Sequence, residues 1–245
     1  MKILVLDSSG LVASVAILEN DTVTAEFTIH HKKTHSQTLL PMLEEVKKMV
    51  DLDLNSIDAI GITAGPGSFT GLRIGSATAK GLGFALDKPI IPIPTVDGIA
   101  YNLYGSDKII CPILDARRNQ VYTGIYEFEK IADAKNCFHY ELKVLEKQKV
   151  VLIEELAEEL NQLGKEVVFL GDGVPVFKNI LNDLMNISYS FAPSQMNRQR
   201  AGSIGALALL YYEKGIIQTA EEFVPYYLRL SQAERERIEK EEQSQ

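Results

Sequence analysis

The chain has 245 residues, 46% of them hydrophobic and 24% charged, so it can bury the core of one large domain or two small ones. Its formal net charge of −8 disfavours a broad nucleic-acid-binding surface, which requires a basic face that displaces counterions, but leaves a local basic patch open. Cys111 and Cys137 lack paired metal-ligand spacing, which argues against a disulfide scaffold or zinc knuckle and fits reduced thiols in the cytoplasm. The apolar run at residues 3–6 is too short for a signal sequence or a membrane span.

The N-terminal region predicts an antiparallel meander of three strands. Apolar runs joined by polar turns place these strands at residues 3–6, 12–18 and 23–28. Residues 38–50 then change to a helical period, with charged residues opposite the apolar side. Pro41 lacks an N–H, so we expect this helix to begin near Gln37 or Thr38. Its apolar face is broad, so it belongs to the core or serves partly as a docking face.

A glycine-rich helix follows the next predicted strand, at residues 57–63, and a Gly-Pro-Gly turn. Its small residues recur every four positions and form a stripe that consists of Gly71, Gly75, Ala79 and Gly83. Each interior glycine costs a helix about 1 kcal/mol relative to alanine, so the stripe predicts close approach by another backbone. That backbone belongs either to this chain's own sheet, which the pattern alone favours, or to a helix of a partner chain.

The remaining elements repeat the opening pattern. A strand at residues 90–93 and a helix at residues 97–104 complete the first series. An apolar run that ends in Asp115 then matches the run that ends in Asp7, 108 residues earlier. Further strands are predicted at residues 121–128, 139–145 and 167–170, and helices at residues 153–163, 174–185 and 203–214. We therefore expect an internal duplication with halves at residues 1–107 and 108–230, a cleft between them, and a polar tail at residues 231–245 that frays.

Five stretches carry a family resemblance: ILVLDSSGLVASVAIL, THSQTLLPML, ITAGPGSFTGLRIGSATAKGLGFAL, CPILDARRNQVYTGIYE and PYYLR. Together they resemble the actin–sugar kinase–Hsp70 superfamily and, within it, the TsaB (YeaZ) family. The resemblance implies an α/β fold of duplicated, ribonuclease H-like halves, each a mixed sheet with flanking helices.

The resemblance also implies a function. Members of this family are non-catalytic scaffolds that pair with TsaD, and the assembly recruits the ATPase TsaE. TsaD transfers a threonylcarbamoyl group from an adenylate to the adenosine next to the anticodon in tRNAs that read ANN codons. The chain would then meet tRNA only through the complex and bind no cofactor itself, while ATP and a metal ion act in the partner subunits. Without TsaD, we expect the same surface to pair two copies of the chain.

One departure from the catalytic relatives decides this interpretation. Those relatives bind a metal through an HxxxH pair just after the strand that follows the glycine-rich helix, and Thr95 and Ile99 occupy the two positions here. A threonine hydroxyl is a poor ligand for a transition metal, and isoleucine offers no donor atom. We therefore expect no metal site and no catalytic residues.

The resemblance places the pairing surface on the first two helices. The residues expected to contact the partner are Leu39, Leu43, Val46, Leu72, Arg73, Gly75, Ala79 and Gly83.

Two hairpin turns and one glycine turn are candidates for a remnant nucleotide site. In the superfamily ATPases, turns at the positions of Asp7, Ser8 and Asp115 hold phosphates, and a turn near Gly171 and Gly173 lies under the adenosine. Phosphate loops need glycine so that backbone N–H groups can approach the anion, and these turns supply it poorly. The preferred interpretation is therefore ordinary polar turns in which the aspartates fix the hairpin geometry. Nearby, Arg117 and Arg118 are either bidentate partner contacts or solvated turn residues.

Three rival functions stay open: an ATP-dependent small-molecule kinase of the same fold, a metallopeptidase, and a direct tRNA binder. The kinase requires nucleotide binding at the two aspartate turns, and the peptidase requires a bound metal. The acidic balance of the chain disfavours the tRNA binder.

Overall fold

A computed structural model describes residues 1–31, 33–132 and 137–229. The first half contains a five-stranded mixed sheet with the strand order β3-β2-β1-β4-β5, in which β1 is antiparallel to β2 and parallel to β4. Its strands are β1 (Lys2–Asp7), β2 (Ala13–Glu19), β3 (Thr22–Ile29), β4 (Ala59–Gly65) and β5 (Ile90–Pro94). The central strands are continuous apolar runs because both faces of the sheet are covered. The tail at residues 231–245, which we expected to fray, lies outside the described residues.

The second sheet repeats the first. Its order is β10-β9-β6-β7-β8, so that β6 pairs with β7 antiparallel and with β9 parallel, as β1 pairs with β2 and β4. Its strands are β6 (Ile109–Asp115), β7 (Gln120–Ala132), β8 (Phe138–Leu152), β9 (Val167–Leu170) and β10 (Tyr189–Phe191). The predicted α/β fold of duplicated halves is therefore confirmed.

Six α-helices cover the sheets of the described chain, three after each opening meander. They are α1 (His35–Met49), α2 (Phe69–Leu86), α3 (Thr95–Ala100), α4 (Ile153–Leu163), α5 (Val174–Leu184) and α6 (Ala201–Glu213). Short 3-10 turns at Leu54–Ser56 and Tyr101–Leu103 follow α1 and α3. Helices α1 and α2 pack on the outer face of the first sheet, and α4 and α5 on that of the second.

Helices α3 and α6 lie between the two sheets and share one apolar core with both. Gly98 of α3 contacts α6 so closely that an added Cβ would lie 2.9 Å from Ile204 Cγ1. Gly61 of β4 also faces α6, where an added Cβ would lie 3.4 Å from Ala208 Cβ. The last helix of the second half thus packs on the first sheet, and both halves share a single interior.

The main differences from the predictions concern α1, the β7–β8 hairpin and β10. Helix α1 begins at His35 rather than near Gln37 or Thr38, because Pro41 lies on the exposed side of its second turn, where water can replace the missing backbone bond. The β7–β8 hairpin extends well beyond the predicted strands, since its exposed residues interrupt the apolar pattern. Strand β10 was not predicted, because it has only three residues, all half-buried.

Candidate docking face and cleft

The small-residue stripe of α2 faces the interior of the monomer. An added Cβ at Gly71 would overlap the Ser8 carbonyl oxygen, and one at Gly75 would lie 2.5 Å from Ser8 Oγ. At Gly83 it would lie 3.0 Å from Ala220 Cβ. The backbone that approaches α2 is therefore this chain's own, as the pattern alone favoured. The β1–β2 turn supplies this backbone at Gly71, and side chains of the C-terminal segment and the sheet approach Gly75 and Gly83.

Most of the residues predicted to contact a partner are not at the surface of the monomer, and their contact with a partner stays a prediction. Of the eight predicted contacts, only Arg73 on α2 is exposed. The other seven are buried in the monomer: Leu39, Leu43, Val46, Leu72, Gly75, Ala79 and Gly83. The physical reason is that the apolar positions of both helices are the positions that cover the first sheet.

The outer face of α2 carries a second stripe of small residues. Ala77, Gly81 and Ala85 recur every four residues and are all exposed. An added Cβ at Gly81 would meet no atom within 4 Å, so nothing in the monomer requires glycine there. Phe84 of the same helix is 63% exposed, and Leu40 of α1, which lines a groove with Leu82 of α2, is 55% exposed. We call these five exposed residues the outer face. Sequence reasoning missed it because alanine is an ordinary helix residue.

The two aspartate turns have the same geometry in the two halves. Asp7 Oδ1 accepts a hydrogen bond from the Ser9 backbone N–H at 2.8 Å, and Asp115 Oδ1 accepts one from the Arg117 N–H at 2.8 Å. Each bond spans two residues and is an Asx turn, which fixes the path of the hairpin. The interpretation that these aspartates set hairpin geometry is confirmed.

The first turn is sealed against α2. Thr63 Oγ1 donates to Asp7 Oδ1 at 2.7 Å, and Ser8 Oγ donates to the Gly71 carbonyl at 2.9 Å. Asp7 is fully buried, and this burial raises the pKa of its carboxyl group, which disfavours the ionised form that a metal–phosphate would need. These groups therefore serve internal packing of the first turn.

The glycine turn after β9 is also used internally. An added Cβ at Gly171 would overlap the Ile113 carbonyl oxygen, and one at Gly173 would lie 2.9 Å from the same atom. Between them, Asp172 Oδ1 accepts the Asp115 backbone N–H at 3.1 Å. Burial raises the pKa of Asp172. The Asp115 turn and the glycine turn after β9, both in the second half, are therefore joined to each other, and the two glycines are explained by that contact.

The two positions that replace the metal-binding histidines lie on α3. Thr95 and Ile99 are both fully buried, and Ile99 packs in the core shared by the sheets. Ile99 supplies no donor atom, so this pair does not fit a metal. Within the described ranges, no three His, Cys, Asp or Glu side chains lie close enough together to hold an ion.

A cleft of about 810 Å³ opens between the halves. A C-terminal strap, residues 219–229, crosses its mouth. The Tyr226 N–H donates to the Ala64 carbonyl of the first half at 2.6 Å, and Arg229 donates to the Ala116 carbonyl of the second half. Sequence reasoning used PYYLR only for family resemblance, and its position across the cleft could not be read from local pattern.

Comparison with known proteins assigns the family. The family model for TsaD, tRNA N6-adenosine threonylcarbamoyltransferase, matches residues 22–237. The tRNA threonylcarbamoyladenosine biosynthesis protein TsaB of Bacillus subtilis is 34% identical, over 98% of this chain and 99% of the relative. The chain belongs to the TsaB (YeaZ) family. The TsaB protein of Haemophilus influenzae is 30% identical over 94% of each chain. The resemblance read from the sequence is thus confirmed.

The fold agrees with this family. The solved structure of YeaZ from Pseudomonas aeruginosa matches with a TM-score of 0.73 and 25% identity, over 93% of this chain and 99% of that one. A second Pseudomonas aeruginosa structure, of a protein described as similar to peptidase YeaZ, matches with a TM-score of 0.76 and 26% identity over the same shares. Among the described residues, no helix combines the length and apolar character needed to cross a membrane.

Proposed function

We propose that this TsaB-family chain is a non-catalytic subunit that pairs with TsaD through the outer face of α1 and α2. The observation that carries the proposal is Gly81: it is exposed, lies inside an 18-residue helix, and has no neighbour in the monomer that requires a glycine. A helix interior glycine costs about 1 kcal/mol, so its presence is best explained by close approach of a second helix.

The residues around Gly81 suit a helix–helix contact. Ala77 and Ala85 lie one turn before and one turn after it, and their small side chains leave room for a second helix to approach. Phe84 and Leu40 have more than half of their surfaces exposed, which leaves apolar area for a partner to bury. A groove between α1 and α2, lined by Leu40, Leu54 and Leu82 among others, continues this surface.

The donor set of the chain supports a non-catalytic role. Thr95 and Ile99 offer no metal site where the catalytic relatives carry histidines, and the turn glycines are committed to internal contacts. In this proposal TsaD holds the metal and performs the transfer, TsaE supplies ATPase activity, and this chain positions TsaD. In the absence of TsaD, the outer face pairs two copies of the chain.

The test is the Gly81→Leu variant, with Glu158→Leu as a matched control. Both changes add one exposed leucine to a helix, but Glu158 lies on α4 of the other half. Gly81→Leu is expected to abolish co-purification with TsaD while the monomer stays folded, because leucine blocks close approach but favours the helix. Glu158→Leu should co-purify normally. Retained pairing of a folded Gly81→Leu variant would overturn the proposal.

A further inference from the structure

The mouth of the cleft is basic, although the whole chain carries a net charge of −8. Lys33, Arg117, Arg198 and Arg229 line it, and its carboxylates among the described residues are those of Asp115 and Asp172. Arg117 pairs with Asp115 at 2.9 Å, but its side chain is 84% exposed, whereas that of Asp115 is only 15% exposed. The cleft therefore presents cations to solvent and keeps its anions inside.

Aromatic rings border the same cleft. Tyr226 is 54% exposed and Tyr227 is 36% exposed, and both lie on the strap. The Tyr227 ring packs on Phe69 with 4.8 Å between ring centroids, and the Arg73 guanidinium lies 4.1 Å from the Phe69 centroid. Exposed rings beside cations are the surface on which unpaired bases stack while their phosphates are neutralised.

We propose that this cleft binds a short unpaired RNA segment. Lys33, Arg117 and Arg229 neutralise the phosphates, and Tyr226 stacks on a base. The choice of RNA, rather than another polyanion, rests on the proposed place of the chain in tRNA modification. The net charge of the sequence hid this surface, because most acidic residues lie outside the cleft.

The experiment measures fluorescence anisotropy of a short, unstructured, fluorescein-labelled RNA with the full chain over a series of salt concentrations. The test variant is Lys33→Gln/Arg117→Gln, and the control is Lys147→Gln/Lys214→Gln, which removes the same charge at exposed positions outside the cleft lining. Two lost phosphate contacts should lower the slope of log affinity against log salt by about 1.4, since each single-strand contact contributes about 0.7. The control should keep the wild-type slope.

The tyrosine gives an independent readout. Tyr226 is held by its backbone, so Tyr226→Leu keeps the strap bond to Ala64 while it removes the ring. Affinity should fall about 5- to 150-fold, and Tyr226→Phe should restore it because stacking needs no hydroxyl. Equal losses in cleft and control variants, equal affinity for duplex RNA, or no salt-dependent binding by wild type would each overturn the proposal. TsaD co-purification of the same variants is expected to be normal, so a failure here is distinct from a failure of the pairing proposal.

Discussion

Tyr126 donates its hydroxyl to Asp97 Oδ1 at 2.6 Å, and this bond joins β7 of the second half to α3 of the first. Tyr211 of α6 lies 3.4 Å from the other carboxylate oxygen. Asp97 is 7% exposed and lies among apolar residues of the shared core. A carboxyl group with donors from two other elements therefore ties the two halves together at the centre of the molecule.

This carboxyl group predicts a pH dependence of stability. Burial raises the pKa of Asp97 above its ordinary 3.8, although the hydrogen bonds from Tyr126 and Tyr211 lower it. A raised pKa in the folded state means that the contribution of Asp97 to stability is full below 3.8 and is lost as the pH rises through the folded pKa. The stability of wild type minus that of Asp97→Asn should therefore decrease over that window.

Urea denaturation at a series of pH values measures this difference. The exposed Asp183→Asn variant serves as the control for loss of a surface carboxylate. A difference between wild type and Asp97→Asn that stays constant with pH would show that the bridge does not titrate as described.

The inner and outer small-residue stripes of α2 predict opposite effects of a glycine-to-alanine substitution on the free energy of unfolding. Gly75→Ala places a Cβ 2.5 Å from Ser8 Oγ and 3.1 Å from Ile62 Cδ1, so it should lose about 1–3 kcal/mol of unfolding free energy. Gly81→Ala meets no atom within 4 Å and should gain up to about 1 kcal/mol. Urea midpoints of the two variants check the order, and the reverse order would mean that the stripes are assigned to the wrong faces.

The strap across the cleft predicts a specific exchange behaviour. Lys80 Nζ donates to the Phe223 carbonyl at 2.8 Å and to the Glu221 carbonyl at 3.1 Å. Bonds from a charged group are worth about 1.5–3 kcal/mol, so Lys80→Met should speed amide exchange of Tyr226 by about 10- to 150-fold. Hydrogen exchange with mass spectrometry measures this, with Lys147→Met as a control that should leave the strap unchanged. If Tyr226 exchanges at the same rate in Lys80→Met, the strap is not held by Lys80 and another group, such as the buried Phe223 ring, holds it.

Sequence reasoning succeeded where one local signal decided the outcome. The bounds of α4 and β9 agree with the predictions, because both are short apolar patterns between clear breaks. Gly164 ends α4 with φ of 68°, the left-handed conformation that a C-terminal glycine cap needs. The duplicated order also followed from sequence, since an apolar run closed by aspartate opens both halves.

Sequence reasoning failed where the same residue pattern fits a contact within the monomer and a contact with a partner chain. The spacing of Gly71, Gly75 and Gly83 required a close neighbour and favoured this chain's own sheet, whereas the family resemblance placed a partner there. The neighbour is the monomer itself. The outer stripe centred on Gly81 was missed because its other members are alanines. The strap and the basic cleft depend on residues far apart in sequence, such as Lys33, Arg117 and Arg229, which only the fold brings together.

The central claim is that this chain supports tRNA modification by pairing with TsaD through the outer face, without catalysing the transfer. Reconstituted threonylcarbamoylation of tRNA, with purified TsaD, TsaE and threonylcarbamoyl adenylate, tests it most directly. Gly81→Leu should reduce modification to the level seen without the chain, Glu158→Leu should support full modification, and the chain without TsaD should give none. Full modification with a folded Gly81→Leu variant, or modification by the chain in the absence of TsaD, would contradict the account.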